Sequence, residues 1–167
     1  MRRLLLMRHG KSDWDAGYGI DHDRPLASRG ERSARVMGVL LAEMNEVPDL
    51  VVSSTAVRAR STAELARLAG GWDSPLVLDG DLYGASTGET LRVAGNHAGD
   101  AERLMLVGHE PTWSMLVTAL TGARAPVRTA TVAAIDLAIG SWSDAAATGG
   151  TLAYLIHPRL FSKVIDP

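Results

Sequence analysis

The sequence contains no cysteine, which excludes disulfides and thiol chemistry and allows a reducing compartment. It has no basic surplus either. The formal net charge is -2 at pH 7, which argues against a general nucleic-acid binder. Long apolar runs are missing as well. Arg2 and Arg3 followed by leucines imitate a signal peptide, but the run stops at Met7, short of an h-region of about 7–15 residues. Nothing approaches the roughly 18 apolar residues of a membrane span. No internal repeat or interdomain linker interrupts the chain. The expectation is a cytoplasmic protein with no membrane or nucleic-acid partner. Its 167 residues, 46% hydrophobic and 22% charged, suit one globular domain over 1–167, with a monomer favoured.

What is present is an alternation of short apolar runs with segments of helical period. Strands are expected at 4–7, 50–52, 76–78 and 104–107, and two more at 131–137 and 151–156. Ser28-Arg29-Gly30-Glu31 has the form of a capping box, opening a helix whose Ala34, Met37, Leu41 and Met44 share a face. Ser53, Ser54 and Thr55 are N-cap candidates for a helix carrying Val57, Ser61, Leu65 and Leu68. A short helix is expected from Glu89 to about His97. Pro111 suits the first turn of a helix with Trp113, Leu116, Val117 and Leu120 on one face, closed by Gly122. Such alternation predicts an α/β layer fold with a mostly parallel sheet. Only a Gly/Ser/Ala-rich loop, 138–150, separates the last two strands, so an antiparallel strand is expected there. Trp142 within it reads as a packing anchor.

In open α/β sheets ligands collect beyond the carboxyl ends of the strands. Three such ends carry related residues here: Arg8-His9-Gly10, then SSTAVRARST with Arg58 at a helix start, then Gly108-His109-Glu110. Two arginines and two histidines would meet in one crevice beside a helix N-terminus. That set suits a phosphoryl group, because the guanidinium fork matches phosphate oxygens and helix-start N–H groups add donors. A neutral imidazole is a capable nucleophile near pH 7, so one histidine could attack phosphorus while the other stabilises the equatorial oxygens. A zinc site would need His9, His109 and a carboxylate, and the flanking arginines would repel the ion. No metal or other cofactor is expected. His22, His97 and His157 read as packed or surface residues.

The stretches LMRHGKSDW, DHDRPLASRGE, SSTAVRARST and LMLVGHEPTW resemble the histidine phosphatase superfamily, in its phosphoglycerate mutase-like branch. The short chain and DHDRPL are most similar to the bacterial protein-phosphohistidine phosphatase group called SixA. The resemblance implies a three-layer α/β/α sandwich. It implies His9 as nucleophile, forming a phosphohistidine intermediate, with Arg8, Arg58 and His109 completing the phosphate pocket. Gly10 would let the backbone turn away with no Cβ in that pocket.

Relatives acting on phosphate monoesters need a general acid. Asp13, Asp15, Asp21, Asp23, Asp81, Glu89 and Glu110 are candidates. The glutamate that mutase-like members carry before a Tyr-Gly pair is absent ahead of Tyr83-Gly84, and Asp81 is the residue that could substitute. A missing acid fits a P–N substrate, whose imidazole leaving group departs with little help. Segments too short for a cap imply an open site. The expected substrate is a phosphorylated histidine on a protein, with a small phosphate ester as the alternative. Asp21, Asp23 and Arg24 would lie at the rim, as a solvated loop with a local ion pair.

Overall fold

The computed structural model describes residues 1–161; the last six positions of the domain expected over 1–167 lie outside the described residues. Its centre is the first apolar run. In β1 (Arg2–Arg8) residues Leu4, Leu5, Leu6 and Met7 have no exposed surface. Successive side chains of a strand point to opposite faces, so such a run is stable only where both faces are covered. Leu4 and Leu6 enter one core with Leu91, Val93, Trp113 and Leu116. Leu5 and Met7 enter the other with Met37, Leu41, Ala59 and Ala63.

Those two cores define the layers. Helices α1 (Ser28–Glu43) and α2 (Val57–Gly70) cover one face, and α3 (Thr87–His97) and α4 (Thr112–Thr121) cover the other. Between them six strands form one sheet in the order β3-β2-β4-β1-β5-β6. The remaining strands are β2 (Leu50–Ser54), β3 (Leu76–Asp79), β4 (Arg103–Gly108), β5 (Val132–Leu137) and β6 (Gly150–Ile156). β1–β4, β2–β4 and β2–β3 pair in parallel, while β5 runs antiparallel to both β1 and β6. This is the mostly parallel α/β/α sandwich with an antiparallel strand that the sequence led us to expect. Trp142 is 2% exposed and its indole N–H donates to the Ala101 carbonyl at 2.7 Å, so it anchors its loop. Among the described residues no helix is long and apolar enough to cross a membrane.

Local details differ from the sequence reading. Ser28 does not cap α1: Ala27 is the N-cap and makes no side-chain cap bond. The capping box lies instead at α3, where Ser86 is the N-cap and Glu89 sits at the third helical position, so that helix begins ahead of Glu89. Nor does a serine or threonine cap α2, whose N-cap is Ala56. The buried side of α2 is Arg58, Ala59, Thr62, Ala63 and Ala66, whereas Leu68 is 76% exposed. Close approach of the two helices explains the shift. A Cβ on Gly38 would lie 2.0 Å from the Ala66 carbonyl oxygen, and only small side chains fit such an interface. Met44 ends up as the exposed C-cap of α1.

Candidate active site

Strand register brings the chemistry together. Arg8 of β1 is paired with Gly108 of β4, so the next residue on each strand, His9 and His109, emerges at the same edge. Their rings lie 5.2 Å apart between centroids. β2 flanks β4 on its other side and ends at Ser54, whose hydroxyl lies 2.9 Å from His109 Nε2. In the first turn of α2, Arg58 is 5% exposed. Arg8, His9, Arg58 and His109 all line one cavity of about 560 Å³, together with Lys11, Arg24, Tyr83 and Glu110.

The orientation of His9 follows from one bond. Its Nδ1 is 2.7 Å from the Gly10 carbonyl oxygen, and a carbonyl can only accept, so Nδ1 carries the proton and Nε2 keeps its lone pair. Gly10 contributes more than that acceptor. Its N–H donates to Thr62 Oγ1 at 2.9 Å, and Thr62 in turn donates to the Arg58 carbonyl at 2.7 Å. A Cβ on Gly10 would sit 2.7 Å from the Gly30 carbonyl oxygen. The glycine is therefore needed for the approach of the loop to α1, not to keep a Cβ out of the pocket. Gly30 is its counterpart: a Cβ there would collide with the Lys11 carbonyl.

Both histidines are held neutral. Burial pushes His9 down to about 4 against the opposing bond to Gly10, and the charges of Arg58, Arg8 and Arg24 act in the same direction as burial. Burial, with His9 and Arg58 next in importance, pushes His109 to about 3 against the pull of Asp21. Removing water from a cationic pocket penalises a further positive charge, which leaves His9 Nε2 unprotonated at neutral pH.

The arginines are positioned by different partners. Arg8 Nη1 donates to the Val127 carbonyl at 3.1 Å, and Arg58 Nη1 and Nη2 donate to the Asp21 carbonyl and carboxylate at 2.6 and 3.0 Å. Asp21 lies in a 3₁₀ turn, Asp21–Asp23, and also accepts from Arg24 and from Tyr83 Oη at 3.0 Å. Partial burial raises the Asp21 carboxyl, but the bonds from Arg24 and Tyr83 and the charges of Arg58 and Arg24 prevail and leave it at about 2. Arg24, only 6% exposed, has its guanidinium 3.6 Å over the ring of the exposed Trp14. Of the rim residues Arg24 lines the cavity, while Asp21 stays half-exposed behind it, paired with Arg24 as the sequence suggested and also with Arg58. Asp23 pairs with His22.

Asp81 is not brought to this cavity. It lies in the 3₁₀ turn Gly80–Leu82, exposed, and its carboxylate is bonded to Arg92 at 2.9 Å. Glu110 does line the cavity, with Oε1 accepting from Ser114 N–H and Oγ–H. His22 bonds Thr55 and His97 bonds Asp79, while His157 lines a neighbouring cavity. Sequence reasoning missed Ser54, Thr62, Lys11 and the Val127 carbonyl. Thr62 had a signal in its spacing, one helical turn after Arg58; the others depend on strand pairing and loop path. Among the described residues no three His, Asp or Glu side chains converge as a metal site would require.

The family model described as histidine phosphatase superfamily (branch 1) matches residues 4–91. An uncharacterized chloroplastic protein of Arabidopsis thaliana is 31% identical over 158 residues, covering 89% of this chain and 72% of that protein. Two solved structures, candidate SixA phosphohistidine phosphatases, are similar throughout. The one from Nakamurella multipartita is 31% identical, with a TM-score of 0.77 over 94% of this chain and 96% of that one. That from Agrobacterium tumefaciens is 27% identical, with a TM-score of 0.79 over 94% and 98%. At 18% identity, the fold alone is shared with a mycobacterial glucosyl-3-phosphoglycerate phosphatase, with a TM-score of 0.66 over 92% and 98%. With a histidine at each of two paired strand ends and the matched sequence running through both the first of them and Arg58, the chain belongs to the histidine phosphatase superfamily.

Proposed function

We propose that this chain, acting as one cytoplasmic domain over 1–167, is a metal-independent phosphatase for phosphorylated histidine on a protein. The observation that carries the reading is the His9 ring, with Nδ1 bound to Gly10 and its free Nε2 edge in a cavity shared with Arg8, Arg58 and His109. Nε2 attacks phosphorus while the fixed guanidinium groups stabilise the equatorial oxygens. The P–N bond of the substrate breaks and its electron pair returns to the leaving imidazole, which departs neutral when its ring entered protonated. Water then attacks phospho-His9, the P–Nε2 bond breaks, and inorganic phosphate and neutral His9 are released.

The carboxylates support a P–N substrate. Asp21 is ionised at about 2 and so has no proton to give at neutral pH, and Asp81 is bound to Arg92 outside the cavity. An imidazole leaving group needs little protonation in the transition state, whereas an alkoxide requires a positioned acid. A second reading, a small-molecule phosphomonoesterase, is favoured by Glu110, the carboxyl group that does line the cavity.

The deciding experiment compares the wild type with His9→Ala on a phosphohistidine carrier protein in EDTA, beside a phosphoserine peptide and a small sugar phosphate. Fast, His9-dependent loss of histidine phosphate alone is the expected result. Preference for the sugar phosphate, abolished by Glu110→Gln, would overturn it in favour of the second reading.

A further inference from the structure

A second cavity, also of about 560 Å³, adjoins the first and shares Arg8, Lys11 and Thr129 with it. Its lining adds Arg29 and Arg32 from α1, Arg128 from the loop before β5, and Arg159, and among the described residues it contains no aspartate or glutamate. In a chain of net charge -2 this is a local concentration of cations. Arg29 and Arg32 are exposed and one turn apart. Glu31, between them, faces Arg35 instead, at 4.0 Å. Among the described residues Lys11, Arg29, Arg32 and Arg128 have no ion-pair partner. Val36 and Pro158 supply a buried apolar floor.

The groove differs from the phosphate pocket in a way that indicates its ligand. Arg8 and Arg58 are anchored by carbonyl and carboxylate oxygens, which suits one phosphoryl group held in one geometry. The cations Arg29, Arg32 and Arg128 are solvated and unanchored, so they supply field and reach rather than a fixed fork. That suits several carboxylates spread along a chain. We propose that this groove receives an acidic protein segment flanking the phosphorylated residue, so that Lys11, Arg29, Arg32 and Arg128 select phosphoproteins by the charge beside their phosphate. The inference rests on the phosphoprotein reading of the same site and adds the character of its substrate.

The test uses two phosphohistidine peptides, alike except that four flanking residues are Glu in one and Gln in the other. Wild type is expected to show kcat/KM on the order of tenfold higher for the Glu peptide at low salt, with the preference shrinking as salt rises. Arg29→Glu/Arg32→Glu should abolish or invert that ratio. The charge-matched double Arg60→Glu/Arg92→Glu, on exposed positions outside both cavities, should retain most of it. Thermal melts establish that both doubles are folded. A ratio near one in wild type, or equal loss in both doubles, would overturn the proposal.

Anisotropy titration of a fluorescein-labelled, unphosphorylated Glu peptide needs no turnover and separates the two ideas. If neither phosphohistidine peptide is hydrolysed, the phosphohistidine reading has failed, and the groove stands or falls on whether wild type binds this probe more tightly than the Arg29/Arg32 double. A sugar bisphosphate that distinguishes wild type from that double, with the Glu peptide failing to do so, would overturn the proposal in favour of a small-molecule subsite.

Discussion

The two adjoining cavities are both rich in arginine, yet they hold it differently. In the pocket the arginines are tied: the buried Arg58 to Asp21, the half-buried Arg8 to the Val127 carbonyl, and the buried Arg24 between Asp21 and Trp14. In the groove Arg29, Arg32 and Arg128 are solvent-exposed. A buried cation must be paired or hydrogen-bonded to be tolerated, and the partners that make it tolerable also fix its direction. An exposed cation needs no partner and retains its freedom. Geometry is therefore preset where a reaction is to occur, and only charge is preset where a surface is to be met.

The largest effect should come from the pocket's nucleophile. His9→Ala should lower kcat on the order of 10⁴-fold or more, and rapid quench with labelled substrate should detect no phosphoenzyme. A surviving phosphoenzyme would mean that His109 or another group attacks phosphorus in place of His9.

Arg58→Lys keeps the charge but loses the fork, and should lower kcat/KM on the order of 100-fold. The same exchange in the groove, Arg32→Lys, should change turnover of an acidic phosphopeptide by less than about twofold, because an exposed cation is read there only as charge. Equal sensitivity at the two positions would erase the contrast between fixed and free arginines.

Titration sharpens the contrast within the pocket. The histidines lie at about 4 and about 3 in the fold, against an ordinary value near 6.5 in the unfolded chain. Between those values the unfolded state binds more protons, so stability falls as pH drops below about 6.5 and the loss is complete only below about 3. Melting followed from pH 7 to 4 should show this decline, and it should be shallower in His9→Asn. An NMR titration placing the His9 ring near 6.5 would contradict its burial among cations.

A modest effect concerns the tie itself. Asp21→Asn removes a negative charge beside Arg58 while keeping an acceptor. Inhibition by inorganic phosphate should therefore tighten, by roughly fivefold or less for one partly screened charge. Weaker inhibition would show that the carboxylate matters for orienting Arg58 more than for competing with phosphate.

How much of this was legible in the sequence depended on whether the signal was local. The apolar run 4–7 identified a strand buried on both faces, because a continuous run has no solvated side. Arg8, His9, Arg58 and His109 could be singled out since each follows a strand end directly or within one helical turn. The face of α2 was misjudged: Leu65 and Leu68 are its large apolar residues, yet the alanines face α1 because Gly38 brings the helices close. The capping box was misplaced from Ser86 to Ser28, since the motif alone does not say which serine adopts the flanking extended conformation. Gly10 was rightly marked as constrained, but its neighbour proved to be Gly30 rather than the ligand.

By itself the sequence determined the alternation of strands and helices, the four residues at the strand ends and the absence of thiol chemistry, all properties of residue type and short-range spacing. The tertiary structure alone decided that Asp21 rather than Asp81 stands at the pocket, that Ser54 meets His109, that His9 presents Nε2, and that a second cationic groove opens beside the first. Each of these is a contact between segments far apart in the chain, set by strand register and helix packing, and such contacts leave no periodicity in a sequence to be read.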